Sequence, residues 1–285
     1  MAGAADVADL NTLVGFCARR DVDVLSRGAV EDCADGPVDV AILFGGSILA
    51  GGDLFARAIT DGVAARFLIV GGQGHSTDVL RATMRQHLGG DDVAGETEAA
   101  LFDRYLRQRY DIQVDLLEHE STNCGSNVRH ALALLAAEGV PHRRILLIQD
   151  ASMQRRMDAG FRLFAPATRV VNFAAHRTPV ELIDGELGFR SPPEGMWPLD
   201  RYVSLLMGEI PRLTDDPAGY GPAGHGFIAH VDVPADVMQA YSALRARGVG
   251  APRIADQQWA DAAGPVDNPR PQDSVTSMSR PGPRV

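Results

Sequence analysis

The sequence has few cysteines and no long apolar segment, and each shortage excludes a class of protein. Only three cysteines occur in 285 residues. Cys17, Cys33 and Cys124 form no C-x-x-C pair, so neither a disulfide framework nor a cysteine zinc site is expected. No apolar run reaches the roughly 18 to 20 residues that span a bilayer, and the N-terminus has acids where a signal peptide has bases. We therefore expect a soluble cytoplasmic protein, with peripheral attachment to the inner face of the plasma membrane left open.

Positive charge is also in short supply. The chain carries 27 basic against 37 acidic residues, a formal net charge of -10, and its pI is about 5.2. Nucleic-acid binding is not expected, because no basic stripe offsets repulsion from the phosphate backbone. No clustered histidine or carboxylate pattern predicts a metal site. An apolar fraction of 45% is ordinary for a globular chain of one large or two small domains.

Apolar segments alternate with helical patterns along the first two thirds of the chain. Strands are predicted at 38–44, 67–70, 113–117, 145–148 and 169–173. Strands separated by helices of this kind indicate βαβ units, and we predict a Rossmann-like, doubly wound α/β fold with a mainly parallel sheet. Right-handed crossovers place every strand-to-helix turn along the carboxyl edge of that sheet.

The flanking segments differ from this core. We divide the chain into an N-terminal helix and linker (1–35), the α/β core (36–175), a helical C-terminal subdomain (176–262) and a disordered tail (263–285). The subdomain is predicted to contain helices at 199–213 and 235–248 and a short strand at 227–231. Within the core, Gly51 and Gly52 are interpreted as a turn, with Asp53 capping the next helix.

The segment GGQGHST at 71–77 is the most informative turn. Gly71, Gly72 and Gly74 can adopt positive φ and leave room for something to approach the backbone. Ser76 or Thr77 can cap the following helix, whose free N–H groups suit an anion. The segment matches neither the dinucleotide fingerprint nor a Walker loop. A tight turn without a ligand is the alternative.

Two further turns offer neutral groups at the same edge. Gly45, Gly46 and Ser47 follow the first strand. The third strand leads into a helix start rich in hydroxyls and amides, where capping explains one or two side chains but not all of them. The hydrogen-bonding candidates of that helix start are Ser121, Thr122, Asn123 and Asn127.

Ionisable groups supply the remaining candidates. His75 can act as a general acid or base, or simply as a hydrogen-bonding group. Asp150 follows the fourth strand and can hold a ribose hydroxyl or an amine. Cys124 lies near a helix start that favours a thiolate, but no triad partner can be assigned to it, so we interpret it as a buried or spectator thiol. Arg155 or Arg156, early in a helix, can reach an anion, or one can pair with Asp150 or Asp158.

Glu96 and Glu98 precede a helical pattern. Acids in a first turn complement the helix dipole, so we interpret both as structural rather than catalytic.

Several motifs together resemble the bacterial YdcF family, which belongs to a broader family that includes SanA and ElyC. They are GGQGHST (71–77), STNCGSN (121–127), QDASMQRRM (149–157), WPLDRYVSLLMGEIPRLTDDPAGYGP (197–222) and GFIAHVDVPADV (226–237). The resemblance covers about residues 5 to 245. It implies a Rossmann-like core with a helical C-terminal addition, and S-adenosylmethionine binding without an established reaction. The residues it implies for the pocket are Gly45, Gly46, Gly71, Gly72, His75, Ser76, Asn123, Asn127, Asp150 and Arg155.

Three functions are consistent with these features. The first is a small-molecule binding protein, or a transferase, for S-adenosylmethionine or a related nucleoside or anionic ligand. The second is an enzyme acting on a phosphate-bearing cell-envelope precursor, with His75 and an arginine handling the phosphate charge. Membrane-anchored relatives are linked to envelope assembly, but this sequence lacks their transmembrane segments. The third is a non-catalytic interaction protein. The sequence does not set the oligomeric state.

Overall fold

A five-stranded parallel sheet forms the centre of the molecule in the computed structural model, which describes residues 3–74, 76–90 and 92–253. The strands run in the order β3-β2-β1-β4-β5, and all neighbours pair in parallel. They are β1 (Val40–Phe44), β2 (Arg66–Val70), β3 (Leu116–Glu118), β4 (Arg144–Ile148) and β5 (Arg169–Asn172). The predicted Rossmann-like α/β fold is confirmed.

Helices connect and flank these strands. Two precede the sheet, α1 (Ala4–Cys17) and α2 (Arg27–Ala34). Five lie between strands: α3 (Leu49–Thr60), α4 (Thr77–His87), α5 (Glu98–Tyr110), α6 (Cys124–Ala137) and α7 (Gln154–Phe164). An antiparallel hairpin, β6 (Glu181–Ile183) with β7 (Glu186–Gly188), precedes α8 (Leu199–Leu213) and α9 (Ala235–Ala246). In the part of the chain that the structure describes, no helix has the length and apolarity that crossing a membrane requires.

Both faces of the sheet are buried, which explains why its strands are apolar throughout. Successive side chains of a strand point to opposite faces. Ala41 and Leu43 of β1 therefore join one core cluster, with α2 to α5, while Val40, Ile42 and Phe44 join another, with α6 and α7. All five residues of β1 are buried. A continuous apolar run is the pattern expected for such a strand.

A third core cluster lies outside the sheet and unites the two ends of the described chain. Leu10 and Leu13 of α1 pack with Leu206 of α8 and Leu244 of α9. Ala159 of α7 joins the same cluster. The N-terminal helix, assigned from the sequence to a separate segment, thus shares a core with the C-terminal helices. The predicted tail at 263–285 lies outside the described residues.

The predicted strand at 227–231 is wrong. The Phe227 N–H donates to the Tyr220 carbonyl, and the Ala229 N–H donates to the Ala159 carbonyl, so neither belongs to a strand ladder. Ile228 and Val231 are nevertheless buried. The apolar pattern reflected packing against the third cluster, not pairing with a sheet.

The predicted turn at Gly51 and Gly52 is also wrong, because both lie inside α3. A Cβ on Gly52 would approach the Tyr105 ring to 3.1 Å, so this glycine serves helix packing. Asp53 does not cap the helix. Its Oδ1 accepts hydrogen bonds from the Tyr105 and Tyr110 hydroxyls, each at 2.7 Å.

Candidate functional site

The candidate site lies where the connections of the sheet diverge. The chain leaves β1 for β2 through α3 on one face, whereas it reaches β4, on the other side of β1, through α6 on the opposite face. In open α/β sheets, ligands bind outside the carboxyl ends of the strands at such a switch point. Gly45 to Ser47 follow β1 there, and Gln149 and Asp150 follow β4.

Two of the predicted binding glycines make room for a side chain of the protein itself. A Cβ on Gly45 would collide with Glu98 Cβ, and a Cβ on Gly71 would lie 2.9 Å from the same atom. The backbone here is also hydrogen-bonded within the protein, because the Gly45 N–H donates to the Val70 carbonyl at 2.7 Å. Gly45 and Gly71 are therefore required for packing around Glu98.

Gly72 and Gly74 allow a second close approach within the chain. A Cβ on Gly72 would collide with the Ser121 carbonyl and lie 2.6 Å from the His119 carbonyl. A Cβ on Gly74 would lie 3.1 Å from the Thr122 carbonyl. These glycines bring the turn after β2 against the segment after β3, so the two predicted segments do converge.

Gly46 differs from these four glycines, because a Cβ there would meet only the ends of flexible side chains. It would lie 3.0 Å from Met153 Cε, 3.6 Å from Ser76 Oγ and 3.9 Å from Gln149 Nε2. The three side chains come from the turns after β2 and β4. Gly46 thus marks the point where these turns meet the turn after β1.

Gln149 carries an unpaired donor at this point. Its side chain is 1% exposed, and Oε1 accepts the Asp150 N–H at 2.5 Å. Its Nε2 has no hydrogen-bond partner among the described residues. Leaving a buried donor unsatisfied costs about 1 to 3 kcal/mol. The Ser47 hydroxyl is likewise buried and unpaired within the described part of the chain, but it lies against Gly51 of α3.

Glu98 is the acidic residue of this region. It is 5% exposed, and its Oε1 accepts hydrogen bonds from Ser76 Oγ and Thr77 Oγ1, each at 2.9 Å. Burial raises the pKa of Glu98 above its ordinary value of 4.5, although the bonds from Ser76 and Thr77 and the charge of Arg81 act in the opposite direction. No local sequence signal marks this role, because it depends on glycines in two other turns.

The polar segment after β3 is mostly structural. Ser121 Oγ donates to Glu118 Oε2 at 2.5 Å. Asn123 Oδ1 caps α6 by accepting the N–H groups of Gly125 and Ser126. Asn123 therefore acts as a helix cap and Ser121 as a turn residue, so two of the predicted site residues have local roles.

Thr122 and Asn127 are the other candidates of this segment. Thr122 Oγ1 lies 3.5 Å from Asn123 Nδ2, a long contact. Asn127 lies on the first turn of α6 and is 8% exposed. Its side-chain amide takes no part in the cap or in the turn, as far as the described contacts go. Of the four polar candidates, local structure leaves the side chains of Thr122 and Asn127 without a clear role.

Asp150 is saturated by the protein. Its Oδ1 accepts from the Ser152 N–H at 3.0 Å and the Ser152 hydroxyl at 2.7 Å, and its Oδ2 accepts from Trp197 Nε1 at 2.9 Å. His176 Nε2 lies 3.3 Å from Oδ2. Burial alone would raise the pKa of Asp150, but the His176 interactions and the other two bonds outweigh it and the pKa is lowered. The carboxylate holds Trp197 and His176, and it is fully buried.

Arg155 and Arg156 lie at the start of α7, and their contacts lead away from Gly46. Arg155 Nε donates to the Phe16 carbonyl at 2.5 Å, with its guanidinium 4.2 Å from the Phe16 ring centroid. Arg156 forms a bidentate ion pair with Glu209 of α8, at 2.6 and 2.9 Å. The predicted pairing with Asp150 or Asp158 is wrong. The partner comes from a helix distant in sequence.

Cys124 does not have the environment of a reactive thiolate. Its Sγ lies 4.0 Å from Met153 Sδ. Burial is the largest influence on the thiol and raises its pKa, although Arg156 acts in the opposite direction. The spectator interpretation fits this setting better than nucleophilic chemistry does.

The structure therefore assembles a smaller site than the sequence predicted. Gly46 and Ser76 come together as expected, and Glu98, Gln149 and Met153 were missed. His75, the candidate acid or base, lies outside the described residues. Across 3–74, 76–90 and 92–253, no group of three or more His, Cys, Asp or Glu side chains is arranged to hold a metal ion. No family model matches the chain.

Proposed function

We propose that this chain is a YdcF-like protein that binds a small polar molecule at the switch point of its sheet. S-adenosylmethionine or a related nucleoside is the ligand class that we favour. One observation carries the proposal: the buried Nε2 of Gln149 has no partner among the described residues and lies beside Gly46. A ligand acceptor atom beside Gly46 would satisfy a donor that the described residues leave unpaired at a cost in stability.

The charges near Gly46 favour a ligand with a cationic group over a phosphate. Glu98 is the acidic residue of the site, and Ser76, whose hydroxyl donates to it, also lies beside Gly46. Arg155 and Arg156, the cations expected to hold a phosphate, are engaged with Phe16 and Glu209. S-adenosylmethionine carries a sulfonium and an amine, together with hydroxyls and ring nitrogens that accept from an amide. The phosphate-processing alternative is thus less well supported.

Calorimetric titration tests the proposal. We expect binding heat with S-adenosylmethionine, weaker binding with S-adenosylhomocysteine, which lacks the sulfonium charge, and none with inorganic phosphate. Gln149→Met keeps the side-chain length and removes the donor, so affinity should fall about tenfold, the value of one hydrogen bond. Gln86→Met, the same change at an exposed position of α4, should leave the affinity unaltered.

Two results would overturn the proposal. One is the absence of heat with S-adenosylmethionine, S-adenosylhomocysteine and adenosine alike. The other is binding to Gln149→Met as tight as to the unmodified protein, which would place the ligand elsewhere. Gln149→Met also removes the Oε1 atom that accepts the buried Asp150 N–H, so circular dichroism melting must first show that the variant is folded, and only then is a loss of affinity assigned to the missing donor.

A further inference from the structure

Ser76 occupies the N-cap of α4 but does not act as a cap. A serine at this position normally accepts a hydrogen bond from an N–H of the first turn of the helix. Ser76 makes no such bond, and its hydroxyl donates to Glu98 Oε1 at 2.9 Å. The hydroxyl is therefore paired with a buried carboxylate, which is the arrangement of a nucleophile with its general base.

A comparison with the neighbouring Thr77 hydroxyl, which also bonds to Glu98, shows that the two hydroxyls differ in their access to a ligand. Thr77 Oγ1 accepts the Gly74 N–H at 2.7 Å and donates to the same Glu98 oxygen. Thr77 is 2% exposed, so its hydroxyl is satisfied on both sides and enclosed. Ser76 is only half-buried, and its Oγ borders the position at Gly46. Of the two hydroxyls, Ser76 is the one that can reach a ligand.

An amide donor borders the same position. The point where a Gly46 Cβ would lie is 3.6 Å from Ser76 Oγ and 3.9 Å from Gln149 Nε2. A substrate atom cannot lie at this point itself, which is one bond length from Gly46 Cα, but a carbonyl group that packs against Gly46 on this side would have the Ser76 hydroxyl and the Gln149 amide, unpaired among the described residues, as neighbours. Nucleophile, base and oxyanion donor around one point are the elements of an acyl-transfer site.

We propose that Ser76 is a catalytic nucleophile, with Glu98 as its general base and Gln149 Nε2 as the oxyanion donor, acting on an acyl ester or thioester. The inference rests on the proposed ligand site but not on S-adenosylmethionine being the ligand. A carbonyl substrate fits because the donor is a neutral amide. Phosphoryl transfer would need cations, and the nearby arginines are engaged elsewhere.

The reaction balances with these three groups and water. Ser76 Oγ bonds to the carbonyl carbon, its proton moves to Glu98, and the carbonyl electron pair becomes an oxyanion that accepts from Gln149 Nε2. The oxyanion then reforms the carbonyl and breaks the C–O or C–S bond, and the leaving group takes the proton from Glu98. Water hydrolyses the acyl-serine in the same two steps, releasing the carboxylic acid and restoring the Ser76 hydroxyl.

Burial supports the role of the base. It raises the pKa of Glu98 above the ordinary glutamate value, and a carboxylate with a raised pKa is a stronger proton acceptor. The base is also fixed in place, since two hydroxyls hold the same oxygen.

Acylation by p-nitrophenyl acetate tests the inference on the full-length protein. Intact-mass and peptide analysis after rapid quenching should show one acetyl group on Ser76, with a burst of p-nitrophenol. Ser76→Ala should remove the adduct, and Ser76→Cys should restore one at the same position. Glu98→Gln and Gln149→Met should each slow acylation by about a hundredfold or more. Ser242→Ala, at an exposed position of α9, should react like the parent.

An acetyl group on any other residue, no adduct on the folded parent, or an unchanged rate in Ser76→Ala would overturn the inference. Circular dichroism melting of each variant confirms that it is folded. The two proposals fail separately. Binding heat with S-adenosylmethionine but no Ser76 adduct removes the nucleophile, whereas a Ser76 adduct without such heat removes the nucleoside ligand.

Discussion

The indole N–H of Trp197 donates to Asp150 Oδ2 over 2.9 Å and joins the segment before α8 to the end of β4. Trp197 is 4% exposed and Asp150 is fully buried. A hydrogen bond to a charged acceptor in such a setting contributes more than a neutral one. The contact therefore fixes the C-terminal helices against the carboxyl edge of the sheet.

Trp197→Phe should destabilise the protein by about 1.5 to 3 kcal/mol, because it removes the hydrogen bond and part of the packing. Urea unfolding followed by circular dichroism measures this change. Tyr202→Phe is the matched control, since the Tyr202 hydroxyl is also buried but donates to the neutral Thr178 carbonyl at 3.3 Å. It should cost about 1 kcal/mol or less. Equal losses in both variants would contradict the special role of Asp150.

Arg156→Met should cost about 3 to 5 kcal/mol, because it leaves Glu209 charged and buried. Arg212 Nη1, at 3.7 Å from Glu209 Oε1, compensates in part and places the expected value near the lower limit. Adding Glu209→Leu should recover most of the loss, as replacing a whole buried ion pair is often neutral. Denaturant titration of both single variants and the double variant gives the coupling. A double variant no more stable than Arg156→Met would refute this explanation.

Glu98→Gln should flatten the dependence of stability on pH above 4.5. Between the ordinary glutamate pKa of 4.5 and the raised pKa of Glu98, the folded chain keeps a proton that the unfolded chain has released. The free energy of unfolding therefore falls as the pH rises through this window. Urea titrations from about pH 4.5 to about pH 8 measure this slope of stability against pH, because the interval covers the range of a raised carboxyl pKa.

Ser76→Ala should change the pH dependence due to Glu98 in the opposite direction. The Ser76 hydrogen bond lowers the Glu98 pKa, so its removal should raise that pKa further and extend the sensitive window to higher pH. Identical pH profiles for the parent, Glu98→Gln and Ser76→Ala would show that Glu98 does not titrate differently in the folded protein.

Gly72→Ala and Gly46→Ala should separate folding from binding. The new methyl group at Gly72 would collide with the Ser121 carbonyl, which is backbone, so we expect a loss of about 3 kcal/mol. At Gly46 it would meet the mobile Met153 Cε at 3.0 Å, so the loss should stay within about 1 kcal/mol. Gly46→Ala should nevertheless abolish ligand binding in calorimetry. A stable Gly72→Ala, or undiminished binding to Gly46→Ala, would show that these contacts are misassigned.

The sheet could be predicted from the sequence because its signal is local. A strand buried on both faces must be apolar throughout, as in VAILF of β1, and helical patterns between such strands require parallel pairing. Local patterns were misleading where tertiary contacts decided. The apolar residues around Ile228 pack against the third core cluster instead of a strand, and Gly52 provides space for Tyr105 instead of a turn.

The polar residues at the carboxyl edge were also found from the sequence, because the topology brings all strand ends to one side. Their partners could not be found in this way. In the sequence, Asp150 and Arg156 have the character of ligand-binding charges. In the structure, Trp197 and Glu209 of the C-terminal segment satisfy them. From the sequence, Glu98 was interpreted as a structural acid in the first turn of a helix. The structure shows that two glycines from other turns enclose its side chain.

The amino-acid pattern is enough to specify the five-stranded parallel core and the edge of the sheet at which polar groups gather. Both follow from the spacing of apolar residues and from the handedness of the crossovers. Tertiary structure alone decided which polar groups pair with one another and which stay unpaired, as Gln149 Nε2 does among the described residues. Hydrogen bonds and ion pairs depend on distances of a few ångströms between segments far apart in the chain, and residue spacing along the sequence does not specify those distances.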